Sequence, residues 1–226
     1  MNAANQDPSA LKIKRSQRFF NKGSLFFYDF LLYGVISKYA WGSSVRRLDS
    51  HYRKYVSLNH LEIGVGTGFL LNRVVFDSAH PRLALMDLNR ECLETTRLKV
   101  SRYAPETYVQ NLLEPVQHRI ERFDSIGINY VMHCIPGGFK DKGTVFTHLQ
   151  PLLSEQGVLF GTTVLSEGVH KNLLAKSFMW LMNFLGVFNN RDDNAHDLKQ
   201  CLEASFQVVE FEVEGVTAFF AVKQCH

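Results

Sequence analysis

Three glycines, Gly64, Gly66 and Gly68, end the stretch His60-Leu-Glu-Ile-Gly-Val-Gly-Thr-Gly68, and 19 residues beyond the last of them stands Asp87. The stretch reads as a strand running into a turn. Glycines there let the backbone bend sharply and approach a ligand more closely than a Cβ permits, and the helix that follows offers its N-terminal N–H groups. An acidic residue closing the next strand lies beside such a turn and can accept both ribose hydroxyls of a bound nucleoside. The other role open to Asp87 is to cap a helix before Asn89 and Arg90. The spacing departs from the dinucleotide fingerprint G-x-G-x-x-G, because Phe69 stands where its third glycine belongs, and this lowers the case for NAD or FAD.

A second run, Phe123-Asp-Ser-Ile-Gly-Ile-Asn-Tyr-Val-Met-His-Cys-Ile-Pro-Gly-Gly138, ends a later strand. Asn129 and Tyr130 at that strand end are candidates for cofactor and substrate contact. His133 titrates near neutral pH and is a candidate general base for the proton of a phenol or an acid; the alternative is a packed or capping imidazole. Cys134 reads as a small buried hydrophobe. No Ser-His-Asp arrangement is evident, and the four cysteines form no C-x-x-C pair, so no metal site is expected and a reduced, cytoplasmic setting fits best.

These residues need a scaffold that alternates strands and helices. After Asn59 short apolar segments near 60–65, 83–87, 107–109, 125–130 and 158–163 alternate with helical stretches near 68–75, 90–103 and 142–153, which predicts a parallel α/β sheet. A long apolar helix is expected over 169–185 and another over 195–204. A hairpin over 207–213 and 216–222, turning at Glu214-Gly215, completes seven strands, the last antiparallel. The N-terminal part differs: helices are expected over 9–22, 24–40 and from Val45 onward, the last capped from Gly42-Ser43-Ser44.

With 226 residues, 46% of them apolar, the chain is long enough to bury one ordinary core. Ten of the basic side chains but only three acidic ones fall in residues 1–60, so the remaining body is slightly acidic and offers no nucleic-acid-binding face. The first twenty residues carry no signal-peptide core, and the longest apolar stretch is too short to cross a bilayer.

The order Glu62, Gly64, Gly66, Gly68, then Asp87, resembles the first and second motifs of the class I S-adenosylmethionine-dependent methyltransferases, small-molecule branch, over residues 44–226. The resemblance implies a Rossmann-like three-layer sandwich around a seven-stranded, mostly parallel sheet with an antiparallel last strand, plus an N-terminal helical extension or lid over residues 1–43. It implies that the glycine loop holds the methionine moiety and ribose of S-adenosyl-L-methionine, with Asp87 and its neighbour Leu88 at the ribose. Asn111 stands where the family usually has an adenine-binding Asp. It can accept from the adenine amino group, with Leu112 beside it, or can simply form a turn. Glu62 and Asn129 complete the implied cofactor contacts, and Tyr130 and His133 the candidate catalytic pair.

The run after the fourth strand is not the Asn/Asp-Pro-Pro-Tyr of amino-directed DNA and protein methyltransferases, which points to a small-molecule acceptor. Family members build substrate pockets from the N-terminal extension and from the region corresponding to 169–190. Tyr28, Tyr33, Trp41 and Trp180 are therefore candidate substrate contacts, through polar tips or through attraction of aromatic faces for a sulfonium; the alternative is that these rings pack the extension onto the sheet. The basic cluster from Lys12 to Lys22 is a solvated face or a contact for an acidic carrier protein, and a homodimer is also compatible. Three functions follow: methyl transfer to an oxygen, nitrogen or carbon of a small molecule; cyclisation of the cofactor itself with release of methylthioadenosine; or cofactor binding without turnover.

Overall fold

The computed structural model describes residues 36–37, 39–78, 80–117 and 119–225. The helices expected over 9–22 and most of 24–40, the candidate contacts Tyr28 and Tyr33, and the basic cluster lie outside the described residues.

Seven strands form one sheet: β1 (Asn59–Ile63), β2 (Arg82–Asp87), β3 (Glu106–Val109), β4 (Phe123–Asn129), β5 (Leu153–Val164), β6 (Phe206–Glu214) and β7 (Thr217–Gln224). Their order is β3-β2-β1-β4-β5-β7-β6. Every pairing among the first five is parallel, and β7 runs antiparallel to both β5 and β6. The chain thus winds outward in one direction from β1 through β2 to β3, then returns to the other side of β1 for β4 and β5. The reversal opens a crevice beyond the carboxyl ends of β1 and β4, where ligands of such sheets bind.

Successive side chains of a strand face opposite sides, and here both sides are apolar. Leu83 and Leu85 of β2 and Phe219 and Ala221 of β7 join one core. Ala84 and Met86, with Ala218, Phe220 and Val222, join the other. The first core is covered by α1 (Val45–Tyr55), α2 (Phe69–Asn72), α3 (Arg90–Lys99) and α6 (Leu173–Leu185), through residues such as Leu48, Tyr52, Leu70, Leu93 and Met179. The second is covered by α4 (Phe139–Lys142), α5 (Thr144–Leu149) and α7 (Ala195–Glu203), through Phe139, Phe146 and Leu198. A sheet buried on both faces between helical layers is the three-layer architecture that the alternating pattern predicts.

Side-chain caps set where the helices begin. Ser44 accepts from the Arg47 N–H at α1, Asn89 from Glu91 at α3, Asn172 from Ala175 at α6 and Asn194 from Asp197 at α7. Asn172 therefore starts α6 at Leu173 rather than at 169, and Gly186, in the left-handed region at φ 73°, ends it. The helix expected over 68–75 is the single turn α2. The one expected over 142–153 is divided: α4 ends at Gly143, α5 follows, and Pro151 sits in a short 3-10 turn. β5 begins at Leu153, earlier than the apolar run indicates, because Leu153 pairs with Phe123 across a register shift in β4.

α1 is anchored to the far edge of the sheet. Glu210 of β6 accepts from Arg47 (3.3 Å), from Tyr55 Oη (2.7 Å) and from Lys54, and lies 3.2 Å from His51 Nδ1. Burial pushes the Glu210 carboxyl up, but the bonds from Lys54 and Tyr55 and the neighbouring His51 and Arg47 outweigh it and hold it down at about 2.

Candidate active site

At the carboxyl ends of β1 to β4 lies a cavity of about 200 Å³ lined by residues of the glycine turn, Asp87, the loop after β3 and the loop after β4. A single water needs only about 10–15 Å³, so the space is that of a ligand rather than a packing defect. Among the described residues no three His, Cys, Asp or Glu side chains converge as a metal site would require.

The turn at its centre demands glycine. Gly64 and Gly68 have φ values of 62° and 70°, in the left-handed region that L side chains avoid. A Cβ on Gly64 would fall 2.3 Å from Val131 Cγ2, and one on Gly68 2.7 Å from Thr96 Cγ2. The Gly64 N–H donates to the Met86 carbonyl (2.8 Å), and the Thr96 hydroxyl to the Gly66 carbonyl (3.2 Å). The loop is thereby fixed to β2 and α3 while its upper face borders the cavity.

Asp87 closes β2 within this turn. Burial raises its carboxyl to about 6, against the pull of N–H groups from Asn89, Gly66, Leu88 and Val65. Its Oδ1 accepts from the Asn89 N–H at 2.8 Å. The capping of α3 belongs to Asn89, so Asp87 organises the turn and still borders the cavity.

Glu62, Gly64, Gly66, Gly68, Leu88, Asn111, Leu112, Asn129 and Tyr130 all border the same cavity. Asn111 Oδ1 accepts from the Leu113 N–H (3.1 Å) and its Nδ2 donates to Glu114 (2.8 Å), so both ends of the amide serve the local turn. Asn129 Oδ1 accepts from the Thr162 hydroxyl (3.2 Å), while its buried Nδ2 has no partner among the described residues. Tyr130 has φ 56°, a strained conformation for a bulky residue. It is held by its N–H on the Thr162 carbonyl (2.8 Å) and by its hydroxyl beside Ser43 Oγ (3.4 Å). Burial raises that phenol.

Other expected site residues stand elsewhere. His133 is 2% exposed, does not border the cavity, and packs its ring 4.4 Å from that of Phe188. Its Nδ1 accepts from the Val164 N–H (3.4 Å), and burial, with the Lys142 charge, lowers it to about 3. The imidazole is therefore neutral near pH 7. Trp41 is fully buried between Phe178 (5.6 Å) and Phe188 (6.1 Å), as an apolar ring next to a covering helix must be. Trp180 is 64% exposed on α6 and stacks on Phe184 (5.5 Å), also away from the cavity.

Sequence reasoning missed Thr67, Gln110, Val131, Ile135 and Pro136, which border the cavity. Thr67 lies inside the glycine motif and Gln110 beside Asn111, so both were within reach of a positional argument. Cys134 borders it too, its thiol pushed up by burial to about 12 and so inert.

No protein-family model matches the chain. A methyltransferase of Calcarisporium arbuscula, aurB, is 33% identical over 223 residues, which cover 92% of this chain and 96% of that protein. Demethylluteothin O-methyltransferase of Streptomyces thioluteus is 37% identical over 199 residues, 87% of this chain and 85% of that protein. Among solved structures, the N-methyltransferase NodS of Bradyrhizobium japonicum WM9 in complex with S-adenosylhomocysteine superposes over 97% of this chain and 100% of that one, with a TM-score of 0.57 at 15% identity. With the glycine turn, the acid closing β2 and the strand order, these likenesses settle the kinship: the chain belongs to the class I S-adenosylmethionine-dependent methyltransferases.

Proposed function

We propose that the chain transfers the methyl group of S-adenosylmethionine to a hydroxyl oxygen of a small secondary metabolite, with the cofactor lying across the carboxyl ends of β3, β2, β1 and β4. The observation that carries this reading is the cavity itself, in which a glycine turn, two carboxylates and an unpartnered amide donor meet. The residues fit the cofactor. Asp87 offers acceptors for a ribose diol, the glycine turn leaves room for close backbone approach, and the orphaned Asn129 Nδ2 offers a donor to a polar group in the cavity. Oxygen is favoured as the acceptor atom because a relative at 37% identity is named an O-methyltransferase.

Bound S-adenosylmethionine supplies an activated methyl group on a sulfonium. The protein's part is alignment and the exclusion of water, effects worth up to about 7–11 kcal/mol when reacting atoms are well oriented. Leu88, Asn111 and Leu112 line the cavity where they would hold the nucleoside. Tyr130, held in its strained conformation by the Thr162 carbonyl and Ser43, would form a rigid wall where the acceptor meets the cofactor. His133 supports that wall from behind and is not assigned the base, because its imidazole is buried, neutral and outside the cavity. Trp41 and Trp180 do not border the cavity and are given no part in this reading. Residues 44–226 form the catalytic domain in this reading, and residues 1–43 an extension beside it.

The test is incubation with S-adenosylmethionine, with and without a panel of small hydroxylated acceptors, followed by mass spectrometry. Acceptor-dependent S-adenosylhomocysteine is the expected product. Methylthioadenosine formed without acceptor would overturn the reading in favour of cofactor cyclisation, which no specific feature of the site favours.

A further inference from the structure

Behind the cavity lies a buried polar chain that no motif contains. Tyr52 of α1 donates its hydroxyl proton to Glu62 Oε2 at 2.6 Å, and His60 Nε2 lies 3.0 Å from the same oxygen. On the other side of the imidazole, His60 Nδ1 is 2.8 Å from Ser125 Oγ, which accepts from the Ser57 N–H at 2.8 Å. With Nε2 protonated toward Glu62, Nδ1 accepts the Ser125 hydroxyl, and the chain is consistently directed. Tyr52 and His60 are 1% and 0% exposed and pack on the ring of Phe160. Gly127 of β4 completes the seat: a Cβ there would fall 2.6 Å from Glu62 Oε2.

Such a chain is costly unless it is used. Buried polar groups stabilise no better than apolar packing unless every member is satisfied, and both bonds that the described residues give Glu62 fall on Oε2. Glu62 is only 6% exposed and borders the cavity, which leaves Oε1 to whatever occupies it. The strand order says what that is. On the reading above, the nucleoside spans β3 at Asn111 and β2 at Asp87, so the amino-acid end of the cofactor extends over β1 and β4. There Glu62 is the one remaining carboxylate on the cavity wall among the described residues, and Asn129, on the same face of β4 as Gly127, presents its unpartnered Nδ2.

We propose that Tyr52 and His60 are positioning residues that aim the Glu62 carboxylate at the ammonium group of the bound cofactor. This inference rests on the cofactor placement proposed above. The experiment is calorimetric titration of two ligands, S-adenosylhomocysteine, which carries the amino-acid end, and methylthioadenosine, which lacks it. Tyr52→Phe should weaken S-adenosylhomocysteine by about tenfold, because the carboxylate loses its preorganised aim, and change methylthioadenosine by less than about twofold. Added to Glu62→Gln, Tyr52→Phe should weaken S-adenosylhomocysteine no further. Gly127→Ala, which displaces the carboxylate without touching the phenol, should repeat the selective loss. Equal weakening of both ligands, or no weakening of either, would overturn the inference. The placement is judged separately: Asp87→Asn weakens both ligands if the ribose lies there, and weakening of neither would sink the placement itself.

Discussion

A carboxyl enclosed by backbone N–H groups can still be reluctant to ionise, and Asp87 stands near that balance. Its value of about 6 lies above the ordinary 3.8. By linkage this group's contribution to stability is complete below pH 3.8 and is lost as the pH rises through about 6. Ribose hydroxyls require the ionised form, so folding and binding pull in opposite directions at one residue. The affinity for S-adenosylhomocysteine should fall about tenfold between pH 7 and 5, and Asp87→Asn should abolish that pH dependence in a titration series. His133 carries the opposite sign. Its imidazole is lowered from 6.5 to about 3, so its share of stability is present above pH 6.5 and declines as the pH falls toward 3. For His133→Asn we expect kcat to keep its wild-type dependence on pH, with Tm lower by about 2–8 °C; a lost limb near pH 6.5 would return it to the role of base. The two residues also mark what the sequence discloses. Asp87 was legible because its distance from the glycines is a constraint of the fold. The depth of His133 was not, because its burial is decided by Phe188, 55 residues away.

The segments that hold the loop after β4 have their own fixed point in the buried pair of Lys142 and Asp193, 2.6 Å apart and fully enclosed. Lys142 also donates to the Asn189 carbonyl (3.3 Å). Asn189 in turn gives its N–H to the His133 carbonyl (2.8 Å) and its Nδ2 to that of Cys134 (3.0 Å). The end of α4 is thereby tied to the wall of the cavity. Lys142→Met should destabilise the protein by about 3–5 kcal/mol, because it strands a buried carboxylate. Replacing both, with Asp193→Leu, should restore most of that loss in denaturant melts. Neither residue is visible as a pair in the sequence, since 51 positions separate them. Element boundaries were legible where a cap or a glycine marks them, as at Ser44. They were not where pairing decides, as at Leu153, whose place in β5 depends on Phe123.

Seen whole, the molecule followed from alternation. The parallel strands and the closing hairpin were readable, because a period of two and helical segments between strands leave few topologies; the strand order, with its switch beside β1, was not. The polar chain behind Glu62 was not, because it gathers α1, β1 and β4, which only the finished sheet brings together. A ligand that binds only the folded chain stabilises it by mass action, about 2.7 kcal/mol at a hundred times Kd. Saturating S-adenosylhomocysteine should therefore raise Tm by about 5–11 °C, and Asp87→Asn should erase most of the rise in a thermal scan.

The place of β7 has one more consequence. It lies inside the sheet, between β5 and β6, though it follows both in sequence. During synthesis the strands up to β5 emerge first, yet 158–164 must wait for 217–223 before that edge is paired. Until Gln224 has left the ribosome, the nascent protein carries an open edge of β5, able to recruit other strands. The risk of aggregation is concentrated in the interval of translation between β5 and β7.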